Sequence, residues 1–165
     1  EVFVKKDYPA SVEISIKERE PMALFCAVES RECFFIDDTG YVFEKAPYFS
    51  AGVFLKFFDE RSSEVPAIGK VFAGKDELKK IMNFAERISG SVFPIYEARV
   101  QKEAVLEFVG KNGIKIIINE GDDFNLIFAN LETTLLEIRA DGGKSIENAE
   151  YLDLRFGNKV FFKWK

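Results

Sequence analysis

Apolar Val12, Ile14 and Ile16 alternate with polar Glu13, Ser15 and Lys17. A period of two predicts a half-buried strand with one face in a core, and Val2-Phe3-Val4 reads as another strand before it. Short apolar runs at Met22 to Cys26, Cys33 to Asp37 and Tyr41 to Phe43 predict a meander, with Asp38-Thr39-Gly40 as the turn between the last two. From Lys45 to Gly74 the pattern is irregular. Pro47, Pro66, Gly52 and Gly69 interrupt it, and no element is predicted there despite the aromatic run around Phe54, Phe57 and Phe58.

Beyond Gly74 the period becomes helical. Leu78, Ile81, Met82, Ala85 and Ile88 share one stripe, which predicts a helix from Lys75 to Ser89 with Gly90 at its end and Asp76 and Glu77 at its positive N-terminus. Strands are predicted at Val92 to Val100, Ala104 to Val109 and Ile114 to Ile118, the last two joined tightly through Asn112-Gly113. A second helix from Asp122 to Ala140 aligns Phe124, Ile127, Phe128, Leu131, Leu135 and Ile138, and Gly142-Gly143 stops it. Ala149 to Phe156 and Lys159 to Lys165 close the chain as a hairpin turning at Gly157-Asn158. Many strands with two intervening helices make an α+β fold.

Composition narrows the chemistry. The 165 residues include 18 phenylalanines, so a substantial core is available. A net charge of -5, with basic residues interleaved among acids, argues against a polyanionic ligand. No run of ~18 apolar residues is present, and the start at Glu1 reads as a segment of something longer, any membrane anchor lying in the missing part. Histidine is absent, which removes Ser-His-Asp and Cys-His catalysis and the commonest metal ligand. Two cysteines do not complete a structural zinc site, and no phosphate-cradling glycine loop occurs, so no cofactor is expected. Of the carboxylate pairs, Asp37-Asp38 reads as turn chemistry and Asp122-Asp123 as a helix start.

Cys26 and Cys33 flank Ala27 to Glu32 between two strand-like runs. Folded as a hairpin, they would face each other at a separation a disulfide can span. The alternative is a pair of reduced, small apolar residues, since bridging also requires an oxidising compartment.

Three stretches carry a resemblance. DYPASVEISIKEREPMALF, Asp7 to Phe25, resembles the FtsQ/DivIB pattern of a Tyr-Pro turn, an alternating strand and Glu-Arg followed by Pro. FFIDDTGYVF, Phe34 to Phe43, is similar to that family's Asp and Gly turn before a hydrophobic pair, and EYLDLRFGNKV, Glu150 to Val160, to its closing Asp-Leu-Arg strand and hairpin. The resemblance implies that residues 1–20 are the last strands of a truncated polypeptide-transport-associated (POTRA) domain. Residues 21–165 would then be a β domain, a curved, mainly antiparallel sheet with two helices packed on it. It further implies a non-enzymatic scaffold of the bacterial division complex, or divisome. Such a scaffold is held in the cell membrane by a single N-terminal span, with its globular part extracytoplasmic. It binds FtsL-like and FtsB- or DivIC-like coiled-coil partners and helps regulate septal peptidoglycan synthesis.

By that resemblance the partner contact falls on the last strands, at Arg155, Phe156, Phe161 and Tyr151, with Arg99 approaching the same surface from the neighbouring part of the sheet. Alternation places Leu152, Leu154 and Phe156 on one face, and Val160, Phe162 and Trp164 together, apart from Phe161. A core position for Phe161 and an internal ion pair with Asp153 for Arg155 are the competing structural roles. The alternative function is a POTRA-like envelope module of a secretion or outer-membrane assembly system. A hydrolase using Glu120, Asp122 or Asp123 would need a concave pocket with convergent carboxylates.

Overall fold

The computed structural model describes residues 2–49, 52–61, 67–140 and 145–165. Strands β1 (Val2–Asp7) and β2 (Ser11–Ile16) form an antiparallel hairpin. The other strands are β3 (Ala23–Cys26), β4 (Cys33–Ile36), β5 (Val42–Lys45), β6 (Lys56–Asp59), β7 (Ile95–Gln101), β8 (Val105–Gly110), β9 (Lys115–Asn119), β10 (Ala149–Phe156) and β11 (Lys159–Trp164). They build one sheet in the order β11-β10-β9-β8-β7-β6-β3-β4-β5. Helix α1 (Lys75–Ser91) lies between β6 and β7 in the chain, and α2 (Phe124–Ala140) between β9 and β10. The protein is therefore α+β, a large, mostly antiparallel sheet with two helices.

The sheet explains where the helices sit. Neighbours β6 and β7 are parallel, as are β9 and β10, and a parallel pair requires a crossover. Because β6, β7, β9 and β10 all run the same way and both crossovers step towards β11, the right-handed rule puts α1 and α2 on one face. The main core is this layer. Leu78, Ile81, Phe84 and Ile88 of α1 and Phe124, Ile127, Phe128 and Leu131 of α2 bury against Ala98, Val100, Leu106, Phe108, Ile116, Ile118, Leu152 and Leu154 of the sheet. Phe84 lies 5.0–5.2 Å from Phe124 and Phe108, ring to ring, and ties the layers together. Phe84 lies outside the stripe expected for α1, whereas Met82 of that stripe and Ile138 of the α2 stripe are only half-buried.

Several expectations are corrected. The alternating strand at Val12, Ile14 and Ile16 has no core face: these residues are 59%, 61% and 70% exposed. Register pairs Val2 with Ile16 and Val4 with Ile14, so an apolar face exists, but every residue of the hairpin is exposed. The irregular stretch contains β6, which lies near the middle of the sheet between β3 and β7. Helix α1 continues through Gly90 to Ser91, where nothing crowds the glycine. Helix α2 begins at Phe124 because Asp123 caps it, its Oδ1 accepting from the Asn125 N–H at 2.9 Å. The Gly142-Gly143 stop lies outside the described residues.

A smaller cluster occupies the opposite face at one end of the sheet. Leu24, Cys26 and Phe58 are buried there beneath Phe49 and Phe54 of the segment joining β5 to β6. Cys26 and Cys33, directly opposite each other in the β3–β4 ladder, are joined by a disulfide with their Cα atoms 4.0 Å apart. Towards β11 the same face carries no helix or strand among the described residues.

Candidate functional site

The site builds up from the last hairpin. An antiparallel strand with one neighbour leaves alternate backbone N–H and C=O groups unpaired along its outer side. From Lys159 to Lys163, no backbone hydrogen bond of β11 to any segment except β10 occurs among the described residues. The edge is six residues long, and its sequence, Lys-Val-Phe-Phe-Lys-Trp, places aromatic rings on both faces.

A bulge sets the side chains. Asp153 pairs with Phe161 and Phe156 with Lys159, so three steps along β10 match two along β11. The extra residue turns Phe156 away from Leu152 and Leu154, correcting the face that simple alternation assigns it. Phe156 instead meets Phe161 edge-on, with ring centroids 5.2 Å apart. Both rings are about half exposed, at 54% and 52%, so Phe161 is not a core residue.

Arg155 is anchored beside them. Its Nε and Nη2 donate to Asp153 Oδ1 and Oδ2 at 2.8 and 2.6 Å, and its guanidinium lies 5.6 Å from the centre of the Phe156 ring. The internal ion pair is therefore formed. It leaves the far side of the guanidinium open, since the side chain is 34% exposed. Burial raises the Asp153 pKa, but the hydrogen bonds and charge of Arg155 outweigh it and hold the carboxyl below its usual range. The same hydrogen bond pushes Arg155 up.

The remaining expected residues lie further away. Tyr151 is half-buried one step along the same face, opposite Lys163, whose Nζ reaches Glu150 at 2.6 Å. Arg99 shares the face and even the row, through Glu107, Ile117 and Asp153 to Phe161. It is nonetheless four strands from the edge, about 19 Å at the usual spacing. Its guanidinium is already engaged by Glu97 at 2.6 Å and Glu60 at 3.0 Å. Arg99 thus lies on the same face as Phe161 but away from the β11 edge.

Phe162, which alternation groups with Val160 and Trp164, is 42% exposed and packs edge-on against Trp164 at 5.4 Å. It was not singled out from the sequence. Consecutive aromatics bracketed by Lys159, Lys163 and Lys165 are the available signal, because lysines commonly protect an exposed sheet edge.

The acids of the hydrolase alternative have other partners. Asp122 Oδ2 accepts from the Asn119 backbone and side-chain N–H groups at 3.2 and 3.1 Å, and Asp123 caps α2. Glu120 stands against Glu77, whose pKa burial and that neighbouring carboxylate push up. Among the described residues, no group of three or more Cys, Asp or Glu is arranged to hold a metal ion. No protein-family model matches this sequence, and no curated protein matches it significantly.

Proposed function

We propose that this chain is the extracytoplasmic part of an FtsQ/DivIB-type scaffold of the bacterial division complex. It works by holding partners and carries out no chemistry of its own. The observation that carries this reading is the β11 edge, an unpaired strand flanked by the Phe156–Phe161 ring pair and the Asp153-anchored Arg155. An extended segment of an FtsB- or DivIC-like partner adds to that edge through backbone hydrogen bonds, and the two rings supply the apolar contact. An FtsL-like protein completes the assembly, which regulates septal peptidoglycan synthesis.

Two further features support the reading. The Cys26–Cys33 bridge suits an oxidising compartment outside the cytoplasm. The β1–β2 hairpin, apolar on one face and exposed, suits the terminal strands of a POTRA domain whose other elements would cover it. In this assignment residues 1–20 belong to that domain and 21–165 to the β domain, with a single N-terminal membrane span beyond the described sequence.

Calorimetry with the extracytoplasmic part of a candidate partner tests it. Phe156→Ala and Phe161→Ala should each weaken binding by about thirty-fold, roughly 2 kcal/mol. Arg155→Glu should weaken it as well if the partner segment is acidic. If all three variants, shown to be folded by circular dichroism, bind as tightly as the parent, docking does not use this edge.

A further inference from the structure

At the opposite end of the sheet, on the same face, a cleft of about 420 Å³ opens between the disulfide hairpin and the segment following β5. That volume falls in the roughly 300–1,000 Å³ range of small-ligand sites. Its floor is apolar, made by Leu24 and Phe58, and Phe49 and the ring of Tyr48 form a wall. Tyr48 is 90% exposed, an unusual position for a ring beside a buried cluster.

The charges around the cleft do not balance. Lys45 is taken by Glu32 at 2.5 Å. Glu97 is shared by Arg31, at 3.8 Å, and Arg99, at 2.6 Å. Lys56 stands opposite Glu97 in the ladder and lines the cleft, yet has no ion-pair or hydrogen-bond partner among the described residues. Arg31 also lies 4.8 Å above the Phe58 ring, keeping a second cation at the rim. In a chain of net charge -5, this is a local positive surplus beside an aromatic wall.

We propose that the cleft binds a carboxylate carried on an aromatic or large aliphatic group, such as the C-terminal residue of a peptide or a free organic acid. The apolar part packs on Leu24, Phe58 and Phe49, and the carboxylate accepts from Lys56 Nζ. Both halves are needed: an apolar ligand without charge leaves Lys56 unpaired, and a bare anion leaves the wall in water. This site is independent of the scaffold reading, because it lies at the end of the sheet away from β11 and involves none of its residues.

The test is an amide NMR titration of the whole 165-residue chain with N-acetyl-L-phenylalanine, its neutral amide and phenylpropionate. Saturable shifts at Arg31, Lys56 and Phe58 are expected with the two acids, at a Kd on the order of 1 mM for ligands of this size. Stronger binding of the acetylated amino acid identifies a peptide terminus, and equal binding identifies a free acid. Lys56→Gln, checked for an otherwise unchanged spectrum, should weaken both at least about fivefold, whereas Lys163→Gln should not. Absence of saturable shifts, binding of the amide as tight as that of the acid, or an unaffected Lys56→Gln variant would each overturn the proposal.

Discussion

The two edges of the sheet are finished differently. At one, β5 is four residues long, and its first residue is already paired on the outer side: the Val42 N–H donates to Lys70 O and the Gly69 N–H to Val42 O, both at 2.8 Å. The Phe72 N–H reaches Gly40 O at 2.9 Å, and Tyr41 bridges Val71. At the other, β11 is six residues long and paired only with β10 between Lys159 and Lys163 among the described residues. The fold can close an edge with its own chain and does so at the start of β5. The open edge at β11 is instead kept apart by lysines, which deter indiscriminate pairing while leaving the backbone groups accessible.

The largest effect should come from breaking the closed edge. Gly40 has φ +76°, and a Cβ there would lie 2.2 Å from the Ala73 carbonyl oxygen. Gly40→Val should destabilise the protein by about 3 kcal/mol or more in urea unfolding, since the left-handed backbone and the backbone contact both oppose a side chain. A smaller loss is expected behind that edge from removing the disulfide. Cys26→Ser with Cys33→Ser releases a seven-residue separation, and chain entropy predicts about 2–3 kcal/mol of lost stability without loss of the fold. Alkylation of non-reduced, denatured parent protein should find no free thiol.

Two milder experiments sharpen the contrast. Asp37, in the turn before β5, and Asp153, on β10, both have lowered pKa values. For each, burial raises the value; hydrogen bonds from Thr39, Arg19 and Tyr41 overcome it at Asp37, and those from Arg155 at Asp153. A carboxylate whose folded pKa lies below its unfolded value stabilises the fold above the unfolded value, and that contribution disappears as pH falls through the folded one. Stability should therefore decline below about pH 4, and Asp37→Asn or Asp153→Asn should each flatten the decline in acid-unfolding curves. The smallest change is expected at Lys163, an exposed residue paired with Glu150. Lys163→Ala should leave stability within about 0.5 kcal/mol and shift partner affinity little, mainly through the association rate and its salt dependence.

Legibility from sequence followed the physics of each element. The α1 and α2 stripes could be read because each helix buries one face, so period and burial coincide, and β3 and β4 could be read as short apolar runs because their successive residues pack into cores on both faces of the sheet. β6 could not: four residues between a Pro- and Gly-punctuated segment and its neighbours give too short a pattern, although Phe57 and Phe58 bury on opposite faces there. The β1–β2 alternation correctly marks an apolar face, yet a period says nothing about what covers it. At the β11 edge, the hairpin, its aromatics and Arg155 were visible, whereas the joining of Phe156 to Phe161 was not. That contact depends on one extra residue between Asp153 and Phe156, and a bulge leaves no trace in local periodicity. Arg99 does share that face, but the four strands between it and the edge follow from the strand order, which local periodicity does not carry.

The passage from hairpin to sheet has a mechanical side. Arg19 lays its guanidinium 4.0 Å above the Tyr41 ring and bonds to Asp37, the same carboxylate that fixes the Thr39 and Tyr41 backbone N–H groups. In the same turn Asp38 holds Lys75, at the start of α1, at 2.5 Å. Tension applied through the chain before Lys17 would therefore load a relay of charges, from Arg19 to the turn and from the turn to the helix. A tug on the hairpin would thus be shared between the covalent chain leading into β3 and the charged contacts of the turn before β5.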